Sequence, residues 1–267
     1  MYGCIKVFTV VLHLSFDEVQ SFTTPVTLMV NIFSWFLCLF VILLYAKGIS
    51  KVSLGKEIFH SKKPVRHYLS GLGIGVLLMT SVFSINLFFH FIEVSVRDSI
   101  DWTLIFLLFI FYLIQGFTEE IMLRGYFFGE LRKRFRLPVA TIISSLLFAL
   151  LHSLNDGVTV LSIANLFLFG VAFAWTYQYT NSIYLVGAMH SMWNFFMGPV
   201  FGVQVSGEAS ASIFQTTSLA QDTVYNGGSF GFEGGLVVTG IFLVALFLLR
   251  KRKVSDKSER NLLTYSK

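Results

Sequence analysis

Long apolar runs broken by short polar stretches dominate the chain. Runs at 25–46, 69–92, 101–118, 138–154, 159–177, 183–200 and 234–249 reach or approach the roughly 20 residues that a bilayer-spanning helix needs. They predict seven transmembrane helices. Residues 5–16 (IKVFTVVLHLSF) are apolar but short, and no small-residue cleavage site follows them. They read as an interfacial or incomplete first helix rather than a signal peptide, and would make an eighth span if they crossed. The predicted fold class is all-α, a polytopic membrane helix bundle in which residues 1–267 form a single integral membrane domain.

Composition supports that class. Of 267 residues, 55% are hydrophobic before the 21 glycines are counted, above the roughly 45–50% that soluble domains reach with glycine included. Charged residues make up 13%, about half the usual share. A disordered chain, a coiled coil and a nucleic-acid-binding protein are excluded as whole-chain descriptions. The two cysteines, Cys4 and Cys38, suggest neither a disulfide framework nor a thiolate metal site.

The net charge of +5 is informative by position. Residues 47–66, 124–136 and 250–267 hold 18 of the 20 Lys and Arg, on alternate connections. The connections at 93–101, around Asn155–Gly157 and at 201–233 are acidic or neutral. The positive-inside rule places the basic segments in the cytoplasm, so the expected arrangement has the N-terminus outside and a basic cytoplasmic tail at 250–267. The RKRK run at 250–253 reads as a stop-transfer anchor. The 33-residue outer loop 201–233, rich in Gly, Ser and Thr, shows no periodicity and reads as a flexible cap or a linker.

Polar groups inside the spans carry the candidate chemistry. In QGFTEEIMLRGYF (115–127), Glu120 and Arg124 stand at i and i+4 on one helical face and can pair, whereas Glu119 projects elsewhere. For Glu120 and Arg124 an ordinary helix end, with both charges snorkelling to the headgroups, is the plain alternative. His152 follows Phe148 by four residues near the end of an apolar run. His190 and Asn194 share one face of GAMHSMWNFFMGP. Insertion scales charge roughly 2.5–3.5 kcal/mol for an ionised acid at a helix centre, so convergence around one interior is the economical explanation. In that arrangement Glu119 acts as general base on a water that His152 shares or orients, while His190 and Asn194 donate hydrogen bonds to an oxyanion. No GxSxG elbow is present.

The set EExxxR (Glu119, Glu120, Arg124), FxxxH (Phe148, His152) and HxxxN (His190, Asn194) resembles the CPBP family, also called Abi, of intramembrane proteases that includes the type II CAAX prenyl endopeptidases. The resemblance covers roughly 115–207 and implies catalytic core helices over 101–207. It implies that Glu119 and His152 activate water, that His190 and Asn194 form the oxyanion hole, and that Glu120 and Arg124 support the site. Family members have also been described as metalloproteases, and Glu119, His152 and His190 would then form a set for Zn²⁺. There is no HExxH, and Asn194 beside His190 looks like a donor pair, which favours a mechanism without cofactor.

The expected activity is therefore an intramembrane endopeptidase acting on a peptide or protein substrate, lipid-modified or membrane-embedded. It is CAAX-endopeptidase-like, with bacteriocin processing or immunity as a further role implied by the resemblance. The expected surroundings are lipid, with no nucleic acid, in a bacterial cell membrane. A catalytically silent membrane scaffold of the same fold is the alternative, and a transporter comes third. His13, His60 and His67 fall in linker or surface contexts, His90 near the outer end of the second span. The tryptophans read as lipid-facing or packing residues.

Overall fold

The computed structural model describes Phe22 and residues 24–250; the segment 5–16 and the tail beyond Arg250 lie outside the described residues. Nine α-helices are present among them, and the seven long ones fall on the seven predicted runs. α1 is Pro25–Gly48, opened by Thr24, whose hydroxyl accepts from the Thr27 amide, with Pro25 in the first turn. Both are favoured at a helix start, where amides lack partners. α2 is Pro64–Phe88. α3, Trp102–Glu120, starts at Asp101, whose carboxylate accepts from the amides of Thr103 and Leu104.

Beyond Glu120 the chain stays helical. A π-helical stretch, Ile121–Phe128, leads into α4, Gly129–Arg134. α5 is Leu137–Leu151, and α6 is Val160–Thr180, opened by a reciprocal Thr159–Ser162 capping box. α7, Ile183–Phe195, passes into a π-helical turn, Phe196–Val200. α8 is the short Thr223–Asn226, and α9 is Leu236–Arg250.

Four helical segments are long and apolar enough to cross a bilayer: Pro25–Gly48, Pro64–Phe88, Trp102–Arg134 and Val160–Thr180. Leu137–Leu151 and Leu236–Arg250 are shorter apolar helices. Exposed apolar side chains such as Phe36, Phe40, Leu77, Phe106 and Phe247 cover the outside of the bundle. Such a surface suits lipid as its solvent. The protein is an all-α membrane helix bundle.

α7 is the central helix. It packs chiefly against α2 and α3, while α5 and α9 lean on α6 and α1 leans on α3. Small residues allow the close approach that association in lipid favours. A Cβ on Gly75 of α2 would strike the Met189 carbonyl, and one on Gly116 of α3 would lie 2.7 Å from the Ser191 amide. α3 and α7 therefore touch backbone to backbone one turn from Glu119 and beside His190.

Three features depart from the sequence reading. The third span does not end at 118: the helix runs on past Glu120 and Arg124, which pair as their spacing allows and, at 0% and 1% exposed, do not take the alternative place among the headgroups. The fourth helix stops at Leu151 rather than 154, leaving His152 as its C-cap. The segment 201–233 is neither a flexible linker nor free of regular structure. Its strand β2, Phe214–Ser218, pairs antiparallel with β1, Ile92–Val96, in the register Ile92 with Ser218 and Val96 with Phe214. Val203, Val205, Phe230 and Phe232 bury against the bundle, so this segment is a packed cap.

Candidate active site

Every polar residue singled out from the sequence lies in or beside the interior between α3, α5 and α7. Glu119 and Glu120 end α3, and successive residues of a helix diverge by about 100°, so the two carboxylates serve different partners. Glu120 Oε1 accepts from Arg124 Nη1 at 2.7 Å and faces His190 Nδ1 at 2.9 Å. The Arg124 guanidinium stands 4.9 Å above the Phe148 ring centre, with Phe169 and Phe173 at 5.9 and 5.7 Å, and reaches the Gly170 carbonyl at 3.4 Å. Charge pairing, a carbonyl and three ring faces replace the water this cation gives up.

Glu119 turns the other way. Its Oε1 accepts from Gln115 Nε2, and Gln115 Oε1 in turn accepts from Asn194 Nδ2 at 2.9 Å. Its Oε2 is buried without a hydrogen-bond partner and lies 3.9 Å from His190 Nε2. Glu119, Gln115, Asn194 and His190 thus surround one small interior region, with Glu120 and Arg124 paired behind the imidazole. His190 and Asn194, at i and i+4 on α7, are each 3% exposed.

His152 stands apart. Its Nδ1 lies 2.9 Å from the Phe148 carbonyl, and its ring packs 4.7 Å from the Phe148 ring, which is itself 6.1 Å from that of His190. Phe148 therefore packs against both imidazoles. No hydrogen bond or ion pair joins His152 to Glu119 among the described residues. The early end of α5 is the physical reason, because the C-cap is a surface position and leaves the ring half-buried.

For a metal the donors are not gathered. No three His, Cys, Asp or Glu side chains among the described residues are grouped closely enough to hold an ion. His190 turns Nδ1 to Glu120 and Nε2 toward Glu119, while His152 turns Nδ1 to the Phe148 carbonyl.

Gln115 and Glu233 escaped the sequence reading. Gln115 precedes Glu119 by four residues in an otherwise apolar run, so i, i+4 spacing was an available signal. Glu233 carried no local signal: it looked like one acid of a soluble loop, yet it is 4% exposed and accepts from Trp193 Nε1 at 3.0 Å and from the Ser206 hydroxyl. Trp193 is a buried packing residue, stacked on Phe242.

A carboxylate, an imidazole and an amide are thus enclosed together in a membrane helix bundle. Within the chain, residues 101–196 match the type II CAAX prenyl endopeptidase Rce1-like family, a stretch that holds every residue from Gln115 to Asn194. No curated protein and no solved structure matches.

Proposed function

We propose that the protein is an intramembrane endopeptidase that hydrolyses peptide bonds with water activated by Glu119. The observation that carries this reading is the buried, unpartnered Oε2 of Glu119 beside His190 Nε2, with Asn194 reached through Gln115. A water between Glu119 and the scissile carbonyl gives its proton to Glu119 as its oxygen bonds to carbon. The carbonyl π-electrons move to oxygen, and the resulting oxyanion is met by Asn194 Nδ2–H and His190 Nε2–H. The Nδ1 of the same ring faces Glu120, which fixes its orientation. Collapse breaks the C–N bond, and the proton held by Glu119 passes to the leaving amine. His152, packed against Phe148, has its place at the edge of the site, where it orients entering water.

The substrate class that the family match favours is a prenylated protein or peptide ending in a CAAX sequence; bacteriocin processing or immunity is a further role for the same chemistry. The proposed setting is a bacterial cell membrane with the tail in the cytoplasm, and the proposed mechanism uses no cofactor. A Zn²⁺ version would bring Nε2 of His152 together with Glu119 and His190 Nε2, each Nδ1 keeping its present partner. A silent scaffold of the same fold is the second reading; the complete, enclosed set of polar groups favours the enzyme.

The deciding experiment is cleavage of a farnesylated CAAX peptide by the purified chain in proteoliposomes. Glu119→Gln, which keeps the shape and removes the base, abolishes nearly all turnover while the protein stays folded. Equal cleavage by wild type and Glu119→Gln overturns the proposal.

A further inference from the structure

Glu233 lies outside the site, on the packed cap, in the short helical turn Phe232–Gly234. A carboxylate 4% exposed is costly to bury unless it is hydrogen-bonded or paired. No Lys, Arg or His pairs with it among the described residues. What holds it is one donor from each of two segments: the Trp193 indole on α7, and the Ser206 hydroxyl where the chain leaves α7 for the cap.

The Glu233 backbone is fixed as well. Asn165 of α6 donates from Nδ2 to the carbonyls of Glu233 and Gly235 at 2.8 and 2.9 Å, and its Oδ1 accepts from Thr239 of α9 at 2.7 Å. Gly231, two residues earlier, has φ +88°, and a Cβ there would collide with the Gln204 carbonyl. The loop is rich in glycine here because two backbones must touch. Glu233 is therefore aimed from a rigid support.

Its target adjoins the chemistry. Trp193 precedes Asn194 and follows His190 by three residues, on the flank of the face those two share. The indole packs 5.4 Å from the Phe242 ring and 6.0 Å from Phe169, and Phe169 stands 4.9 Å from the His190 ring. We propose that Glu233 is a positioning residue: its hydrogen bond to Trp193 sets the rotation of α7 that aims His190 and Asn194 at Glu119 and Gln115. Side-chain tips sit roughly 5–6 Å from a helix axis, so a rotation of about 10° moves them by about 1 Å. A misplacement of that size can lower a rate about 10²-fold.

The inference rests on the proposed roles of His190 and Asn194, and its test separates the two. The reconstituted full chain is assayed on the farnesylated CAAX peptide, below the unfolding temperature of each variant. Glu233→Leu lowers kcat roughly 30- to 100-fold, with KM within about threefold. Glu233→Gln restores most turnover, because its side-chain oxygen still accepts from Trp193 and its NH₂ donates to Ser206. Trp193→Phe matches Glu233→Leu, the double variant is no worse, and Trp193→Phe carries the test if Glu233→Leu does not fold.

A folded Glu233→Leu with kcat within twofold of wild type overturns the inference, as does a loss confined to KM. If Glu119→Gln is inactive while Glu233→Leu is normal, only this inference fails; if Glu119→Gln cleaves like wild type, the proposed activity fails. The clamp also has a readout that needs no substrate. The Trp193 indole ¹H–¹⁵N signal, assigned by its loss in Trp193→Phe, moves in Glu233→Leu and stays near its place in Glu233→Gln. An unmoved signal in Glu233→Leu overturns the clamp with or without turnover.

Discussion

Gln115 and Asn194, 79 residues apart in the chain, meet at 2.9 Å through their side-chain amides. The same Gln115 holds one oxygen of Glu119, so a single side chain orients the proposed base and the proposed oxyanion donor. Replacing it with Leu keeps the volume and frees both. We expect Gln115→Leu to lose about 10²-fold in kcat, with substrate binding little changed; steady-state kinetics at normal activity would remove Gln115 from the mechanism.

Asn194→Ala takes away a proposed donor outright. A loss on the order of 10²- to 10³-fold in kcat is expected, the usual scale for one oxyanion-hole group. A KM effect without a kcat effect would place Asn194 in ground-state binding instead.

Arg124 and Glu120 form a fully buried ion pair. Removing the cation alone leaves a charge in the interior, so Arg124→Met should destabilise by about 3–5 kcal/mol. The double variant Glu120→Gln with Arg124→Met should recover part of that loss. Unfolding in mixed micelles measures both, and a cost below about 1 kcal/mol for Arg124→Met would show the pair to be solvated.

Prolonged dialysis against a strong chelator separates the two versions of the mechanism. Activity should survive it, since no three His, Cys, Asp or Glu side chains among the described residues are grouped to hold an ion. Loss of cleavage, restored by Zn²⁺ alone, would make Glu119, His152 and His190 ligands and reassign every role proposed for them.

Orientation can be read by thiol labelling in a background without Cys4 and Cys38. Single cysteines at Lys62, Arg134 and Ala220, all exposed, should divide as two on the cytoplasmic side and one outside. Labelling of position 220 from the cytoplasmic side alone would invert the arrangement.

The bundle was legible because burial in lipid leaves a coarse signal: seven apolar runs became seven long helices. Glu119, Glu120, His190 and Asn194 were legible for the converse reason, since polar groups inside such runs need partners. The reading failed where partners were invisible. Glu120 and Arg124 pair as their spacing allowed, and it is the alternative of a helix end among the headgroups that fails, because an ion pair, His190 and three aromatic rings stand where solvent would. The cap resembled a linker because its glycines serve close backbone contact, as at Gly231, and such packing has no period. His152 looked interior because an apolar run does not reveal that its helix stops one residue earlier.

The pairing of β1 with β2 also bears on how the molecule is made. Ile92 finds Ser218 only after α3 to α7 have been synthesised, and a loop of that length makes the pairing late and entropically costly. Ribosomal order delivers Glu119, His152, His190 and Asn194 to the membrane before the second strand exists. A nascent chain arrested before Phe214 therefore holds all four of these side chains with β1 still waiting for its partner and α9 still to be inserted, so the strand pairing is completed only as the last helix enters.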